Sequence, residues 1–559
     1  MKKWFVLSMS VLILIVLFVI RSIIPNTVPS GAVRLTLYSA VLLGVFCFFY
    51  HQLWDIFSRK RDIPAFIIAW LVGFLFIQPI HQNIIGIDTL SIYEATHGVV
   101  ESESSTGRVF GGLTCDMQIT FGLLRESMMP LVYLFVMTFL TAAVIRLRTL
   151  LDSLRDTDEP SFLQDQMILA GLLLAVYNPF SLEWITFTNV PGFYIDAAAV
   201  VLAVDSLLRY PLRKGIWIGL CLLILPCNGY QSMAALFILL AIPLMFVNLD
   251  RTGKVSPVKN LILSILIPGA VSCIALGSSA LWILAHRAFY GMIQPRVTRG
   301  IDFLENLRCL KTGLPDLLKY SYDLLPPYLL AAVMAVLLVL ILAGYKKMRF
   351  PFWQTCLILA ASLTGCIGFS ILFQLFIPEP LFAARSVFAF SAIPGMLMVF
   401  FVLYRRSAPC SVRGHAAEYA ALLVCLLLLG TVLHEAFRLS AALKEVFRRD
   451  SIEAAQVIRR IEQLEKQHGA QIRQVRMFHD YPYQETYPGI KYKGFASRLL
   501  AVPWKFSPFM KKYHHREFTV EKVYNFEAFR AVYGNQQWDG PDFEKQIILK
   551  DGVICIAAY

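Results

Sequence analysis

Long apolar runs recur through the first three quarters of this 559-residue chain, and they constrain its fold more than any motif does. Several are long enough to cross a hydrocarbon core of about 30 Å as helices. In lipid every backbone N–H and C=O must be satisfied within the segment, so each such run is expected to be helical. Composition agrees: 57% of residues are hydrophobic and 16% charged, where a soluble domain carries about a quarter charged. The runs fall at 4–25, 36–55, 63–82, 128–145, 166–183, 193–208, 215–227, 230–248, 260–286, 327–345, 352–377, 386–404 and 416–436. The expected fold is an all-α polytopic membrane protein of about thirteen transmembrane helices, residues 1–436, followed by a small α/β domain, 437–559.

The first run follows Lys2 and Lys3 like a signal peptide, but it is too long for one and lacks a small-residue cleavage site, so it reads as a retained anchor. The eleven cysteines show no paired metal spacing; most, such as Cys47, Cys221, Cys273, Cys366 and Cys425, sit inside apolar runs as small hydrophobes. The net charge of +13 could suit nucleic acid, but the placement of the charges argues against that partner. Short basic loops lie between alternate runs: Arg59-Lys60-Arg61; Arg146, Arg148 and Arg155; Arg209, Arg213 and Lys214; Arg251, Lys254 and Lys259; Lys346, Lys347 and Arg349; Arg405, Arg406 and Arg413. The positive-inside rule makes these loops and the N-terminus cytoplasmic, and puts the tail outside. The parity depends on 215–227 and 230–248 being two helices split at Pro226-Cys227-Asn228-Gly229.

Two outer loops stand apart. Residues 83–127 are glycine- and serine-rich and carry Asp88, Glu94, Glu101, Glu103 and Asp116, with alternation at 84–95 and 109–124 that suggests short helices at the interface. Residues 287–325 carry Arg287, Arg296, Arg299, Arg308, Lys311 and Lys319, a basic set that is either a solvated surface or a site for an anionic group such as a lipid phosphate. In the tail, Leu443, Val446, Phe447, Val457, Ile458, Ile461 and Leu464 share one helical face over 438–468. A strand at 472–478, a helix at 520–533 and strands near 546–548 and 553–557 are expected after it. This domain holds no phosphate-binding glycine loop, and structural cover or acceptor binding are its two readings.

Ionisable residues at span ends gather on the outer side: His81, Glu183, Asp196, His286 and Arg287, Glu379 and Arg385. Any one of these is more simply a residue snorkelling to the headgroups. Together they describe a polar cavity open to the outer surface. Asp205 lies toward the other side, where an i,i+4 pair with Arg209 accounts for it.

The segment Leu174-Ala175-Val176-Tyr177-Asn178-Pro179-Phe180-Ser181-Leu182-Glu183 resembles the asparagine-proline segment of the type II serotype-converting glucosyltransferases, a membrane family of C-fold (GT-C) glycosyltransferases. The turn Asn228-Gly229-Tyr230-Gln231 and the early outer loop with Thr106-Gly107-Arg108 are similar to the same family, and the likeness in layout covers about residues 60–440. The resemblance implies a helical bundle with an outer active site in the bacterial cytoplasmic (inner) membrane. It implies a sugar, usually glucose, carried on a polyprenyl phosphate and transferred to a surface glycan such as O-antigen. A separate flippase and a donor-synthesising enzyme would supply that substrate. It also places the catalytic base in the first large outer loop, which Asp88 matches. Family members often pair acids there, whereas this chain has Asp88-Thr89, so whether a divalent metal (magnesium or manganese) binds stays open, with Asp88 and Asp116 as its candidate ligands. Glu94 or Asp116 is the candidate for the second carboxylate.

The chemistry suits these residue types. Glycosyl transfer needs a base for the acceptor hydroxyl and a carboxylate to stabilise oxocarbenium-like charge. The departing polyprenyl phosphate needs a guanidinium, which holds phosphate oxygens bidentately. Arg385 and Arg108 are the first candidates, then Arg287, with Glu183, Asp196 and Gln231 as further substrate-binding residues. A flippase of lipid-linked sugar would call for inverted repeats and midplane charges, which are not seen. A glycan polymerase or ligase would rely on basic outer loops, which 287–325 keeps open.

Overall fold

Without water to satisfy it, an apolar segment closes its own hydrogen bonds, and the computed structural model of the chain is accordingly built from helices. It describes residues 31–558 apart from 78–107, 122, 124–127, 156–160, 187–191, 253–255, 291–300, 378–379, 381, 406–414, 480–485, 493–494, 524, 537 and 539. The expected first span, 4–25, lies outside the described residues. We number the main helices α1 (Gly31–Phe57), α2 (Asp62–Ile77), α3 (Val109–Thr120), α4 (Met129–Leu154), α5 (Phe162–Val176), α6 (Gly192–Arg209), α7 (Leu212–Cys227) and α8 (Met233–Thr252). They continue as α9 (Pro257–Tyr290), α10 (Phe303–Pro315), α11 (Leu329–Ala343), α12 (Phe352–Ser370), α13 (Ile393–Leu403), α14 (Ala416–His468), α15 (Pro503–His514) and α16 (Phe526–Tyr533). Seven helical stretches among the described residues are long and apolar enough to cross a membrane, eight if one bent pair is a single span. The protein is thus a helical, multi-pass membrane protein.

The sequence expectations meet this fold with instructive differences. The run at 166–183 is not one helix: α5 ends at Val176, and a 3-10 helix, Pro179–Thr186, follows at 46°. Pro179 lacks the N–H that would continue the ladder, and Asn178 Oδ1 instead accepts the backbone N–H groups of Phe180 (3.1 Å) and Ser181 (3.0 Å). The run at 386–404 is likewise broken into a 3-10 turn, Ala384–Val387, a single turn at Phe388–Ser391, and α13. α7 and α8 are separate helices divided at 228–232. α3 is a helix as the alternation suggested, but Asp116 and Gln118 are buried rather than lying at a surface.

Small residues let the helices approach closely. A Cβ added to Gly395 of α13 would stand 2.3 Å from the Gly171 carbonyl oxygen of α5, so these two backbones are in direct contact. The basic segments that alternate along the sequence gather at one end of the bundle. Arg61 and Arg155 each reach Asp165 at 2.5 Å, and Arg148 lies 3.4 Å from both Asp62 and Asp165. Arg349 donates to the Leu154 carbonyl at 3.2 Å, and its N–H bonds Tyr404 O at 2.8 Å. Asp205 pairs with Arg209 at 2.7 Å, as its spacing suggests, and also with Arg146 at 2.7 Å.

The chain divides into two compact units, the second containing residues 436–559. α14 crosses that boundary as one unbroken helix of 53 residues, joining what the sequence suggests as a span and an amphipathic helix. In the second unit the strands β1 (Gln474–His479), β2 (Thr519–Val523), β3 (Ile547–Lys550) and β4 (Val553–Ala558) form one sheet in the order β2-β1-β4-β3. β1 is parallel to both β2 and β4, while β3 and β4 are antiparallel. Val475 and Met477 pack with Val457, Ile461 and Leu464 of α14 and with Phe506 and Phe509 of α15; Phe478 and Cys555, on the other face, pack with Phe529 and Tyr533 of α16. The segment expected as a helix at 520–533 is instead strand β2 followed by α16, whose Asn525 cap accepts the Glu527 N–H at 2.9 Å. Edge pairing with β1 outweighs the local preference there.

Candidate functional site

The end of the bundle opposite the basic segments carries the polar cluster. Asn178 organises it. Its Oδ1 accepts the Ser391 hydroxyl at 2.5 Å as well as the two N–H groups that start the 3-10 helix. That short helix projects Glu183, buried, into an ion pair with the Arg385 guanidinium, and Glu183 also accepts the Arg385 backbone N–H. The pair is asymmetric: the Arg385 side chain keeps 25% of its surface exposed against 3% for Glu183. The two residues, 202 apart in sequence, lie on the 3-10 segments that follow α5 and precede α13, and those two helices cross at Gly171 and Gly395.

The turn between α7 and α8 closes against this pair. The Tyr230 and Ser386 hydroxyls share a hydrogen bond of 3.1 Å, and Ser232 Oγ donates to the Arg385 carbonyl at 3.4 Å. Arg108 lies over the Tyr230 ring, 5.0 Å from its centre, and Phe110 N–H donates to Asn228 O at 2.9 Å. Gln231 Nε2 donates to Ser279 Oγ at 3.1 Å, and Asn228 Nδ2 to Ser278 Oγ at 2.7 Å, tying the turn to α9. Gly229 is required here by close approach: a Cβ on it would stand 2.4 Å from Asp196 Oδ2.

Asp196, just past the first turn of α6, is buried, and its Oδ1 has no hydrogen-bond partner among the described residues. Nor have Trp184 Nε1, Tyr194 OH and Asn228 Oδ1. Buried polar atoms are almost always paired, so four such atoms in one neighbourhood mark a place built for something other than packing. Aromatic rings wall it: Trp184 stacks on Phe193 at 5.5 Å and meets Phe388 at 5.0 Å, and Phe193 meets Tyr230 at 5.2 Å.

The structure therefore brings Arg108, Glu183, Asp196, Gln231 and Arg385 around one turn. Arg287 is exposed near the end of α9 and makes no contact with that group among the described residues, so the cluster does not include it. Asp116 is buried on α3 and accepts the Tyr38 hydroxyl at 2.6 Å. Asp88 and Glu94, the catalytic candidates, lie outside the described residues, as does Glu379. No group of three His, Cys, Asp or Glu side chains is arranged for a metal ion among the described residues.

Two features escaped the sequence. Ser321, Tyr322 and Asp323 stand consecutively in the left-handed region (φ 47°, 55° and 61°), a conformation that costs a non-glycine residue about 1 kcal/mol or more. This holds the Tyr322 ring edge-on to Phe180 at 5.3 Å. Burial, with Glu183 and Asp316 close by, pushes the Tyr322 phenol well above its ordinary value, so it remains a proton donor at neutral pH. The second is the cluster of Arg61, Arg148, Arg155, Asp62, Asp152 and Asp165 at the basic end, where the sequence showed only loop charges. Asp152 has helical spacing to Arg148 and Arg155, but Asp165 is 10 residues from Arg155 and 104 from Arg61, separations that leave no local signal.

Fold and site together define a multi-pass helical membrane protein with a buried acid–arginine centre at one end of its bundle. No protein-family model matches the chain, and no curated protein or solved structure matches it either.

Proposed function

We propose that this chain is a membrane glycosyltransferase that moves a sugar from a polyprenyl-phosphate donor to a surface glycan, at the outer face of the bacterial cytoplasmic membrane. The observation that carries the reading is the Glu183–Arg385 pair together with the unpartnered Oδ1 of Asp196. The half-open guanidinium of Arg385 suits a phosphate leaving group, with Glu183 holding it in place. Asp196 suits a sugar hydroxyl donor, which would satisfy its free oxygen. Arg108, stacked on Tyr230, supplies a second cation at the same turn.

Orientation follows from charge. With the basic end in the cytoplasm the acid–arginine centre faces outward, where a flipped lipid-linked sugar is presented. On this reading the chain has thirteen spans, a GT-C-like bundle and an extracytoplasmic C-terminal unit. Asp88 is the proposed base, with Glu94 beside it in sequence. The test is a transfer assay with purified protein in detergent, a short-chain polyprenyl-phosphate sugar and a glycan acceptor. Product formed without a sealed membrane supports a transferase over a transporter. Arg385→Met and Asp88→Asn are each expected to lower turnover by about a hundredfold or more at normal protein levels. Full turnover in both would remove this reading.

A further inference from the structure

α10 is a helix with three distinct flanks. One is docked: Asn306, buried, donates from Nδ2 to Leu375 O at 3.1 Å and to Ile377 O at 2.9 Å. Leu375 lies at the end of the apolar stretch Phe352–Phe376 and Ile377 directly follows it, where the helical structure stops and its last C=O groups need donors. Gly313 lies on the same flank, close enough that a Cβ on it would touch Phe382 at 3.4 Å.

The second flank is apolar and uncovered. Phe303, Leu304, Leu307 and Leu314 recur at helical spacing and are exposed, Leu304 at 68%, and exposed Leu318 follows in the helical turn after α10. The Phe303 ring lies 5.9 Å from that of Phe376, itself 61% exposed at the end of the membrane-length stretch, so the leucine flank is continuous with the exposed apolar end of that stretch. The third flank is polar, with Glu305, Arg308, Thr312 and Asp316 exposed. Charge is balanced along this segment: Arg308, Lys311 and Lys319 are matched by Asp302, Glu305 and Asp316. Lys311 stands among the leucines and makes no ion pair among the described residues.

We propose that α10 lies in the bilayer interface, its leucine flank in the outer acyl region and its polar flank in water, with the Lys311 ammonium reaching up to a phospholipid phosphate. An apolar flank at the end of a span fits the headgroup–acyl boundary, and a snorkelling lysine fits its polar side. Because the segment is neutral overall, apolar area rather than anionic lipid drives the contact. The basic loop of the sequence is therefore not an anion-attracting patch over this stretch. Gly313 of α10 lies beside Phe382, three residues before Arg385.

The test uses the full chain in phosphatidylcholine nanodiscs with a photo-crosslinking phenylalanine analogue placed at residue 307, 314 or 312. Lipid adducts at 307 and 314 are expected to exceed those at 312 by about fivefold or more, and to change less than about twofold when phosphatidylglycerol is added. Residue 304 is a second reporter should 307 not tolerate the label. Equal yields at 307 and 312 would overturn the proposal. So would a rise of about fivefold with phosphatidylglycerol, or a discrete protein adduct from 307 in membranes of the expressing cells.

Discussion

Replacing Gly395 with alanine probes the crossing on which the acid–arginine centre rests. The added Cβ would lie 2.3 Å from Gly171 O, 2.6 Å from Ala175 N and 3.0 Å from Leu174 C, all backbone atoms of α5. Ordinary contact begins near 3.4 Å, and backbone cannot rotate aside, so the helices must part by about 1 Å. Overpacking costs about 1–3 kcal/mol, here toward the upper end, and the better helix propensity of alanine returns at most about 1 kcal/mol, leaving a net loss of about 2 kcal/mol. The same displacement would stretch the 2.5 Å bond from Ser391 to Asn178 and disturb the Glu183–Arg385 pair. A 1 Å misplacement of a catalytic group can lower turnover about a hundredfold. Gly277→Ala is the matched control, since nothing lies within 4 Å of its added Cβ. Thermal unfolding in detergent, followed by tryptophan fluorescence, should show Gly395→Ala melting well below Gly277→Ala. Equal melting temperatures with equal transfer activity would refute the close crossing.

Other substitutions follow from the same geometry. Arg148→Met leaves Asp62 and Asp165 without one of their buried partners and is expected to destabilise the bundle by about 3 kcal/mol in denaturant titrations. Ser321→Gly relieves a left-handed residue and removes a buried hydroxyl with no hydrogen-bond partner, so the melting temperature should rise, by about 1 kcal/mol of stability; a fall would refute the strain. In the second unit, burial pushes the Asp450 carboxyl up to about 7 although Leu499 N–H and the Tyr487 hydroxyl donate to it. The folded state then binds the proton more tightly than the unfolded one, so stability present at low pH is lost as pH rises toward 7. Between pH 5 and pH 8 the loss should be about 3 kcal/mol, and Asp450→Asn should flatten it in melts at the two pH values.

The apolar runs were legible because lipid leaves a backbone no alternative to the helix, and every expected span that falls within the described residues contains helix. Where they ended was less legible. Asn178 and Pro179 broke one run, and a one-dimensional hydropathy profile could not distinguish a bend from a continuing span. The spacing of Val457, Ile461 and Leu464 reveals the tail helix, whereas β2 has no local signal because its partner strand lies more than forty residues away. At the site, Glu183 and Arg385 stood out as charges at span ends, whereas Tyr322 did not, since nothing in Ser-Tyr-Asp announces a left-handed run.

Transfer energies that act residue by residue already make this chain helical and multi-pass, keep its charged residues from facing lipid and set its basic loops in alternation. Which of those charges meet depends on long-range packing. Glu183 and Arg385 become a pair, and Asp196 an oxygen without a partner, because two glycines let α5 and α13 touch and a third lets the α7–α8 turn press on a carboxylate. Such proximity depends on backbone approach between segments hundreds of residues apart, and no local rule contains it.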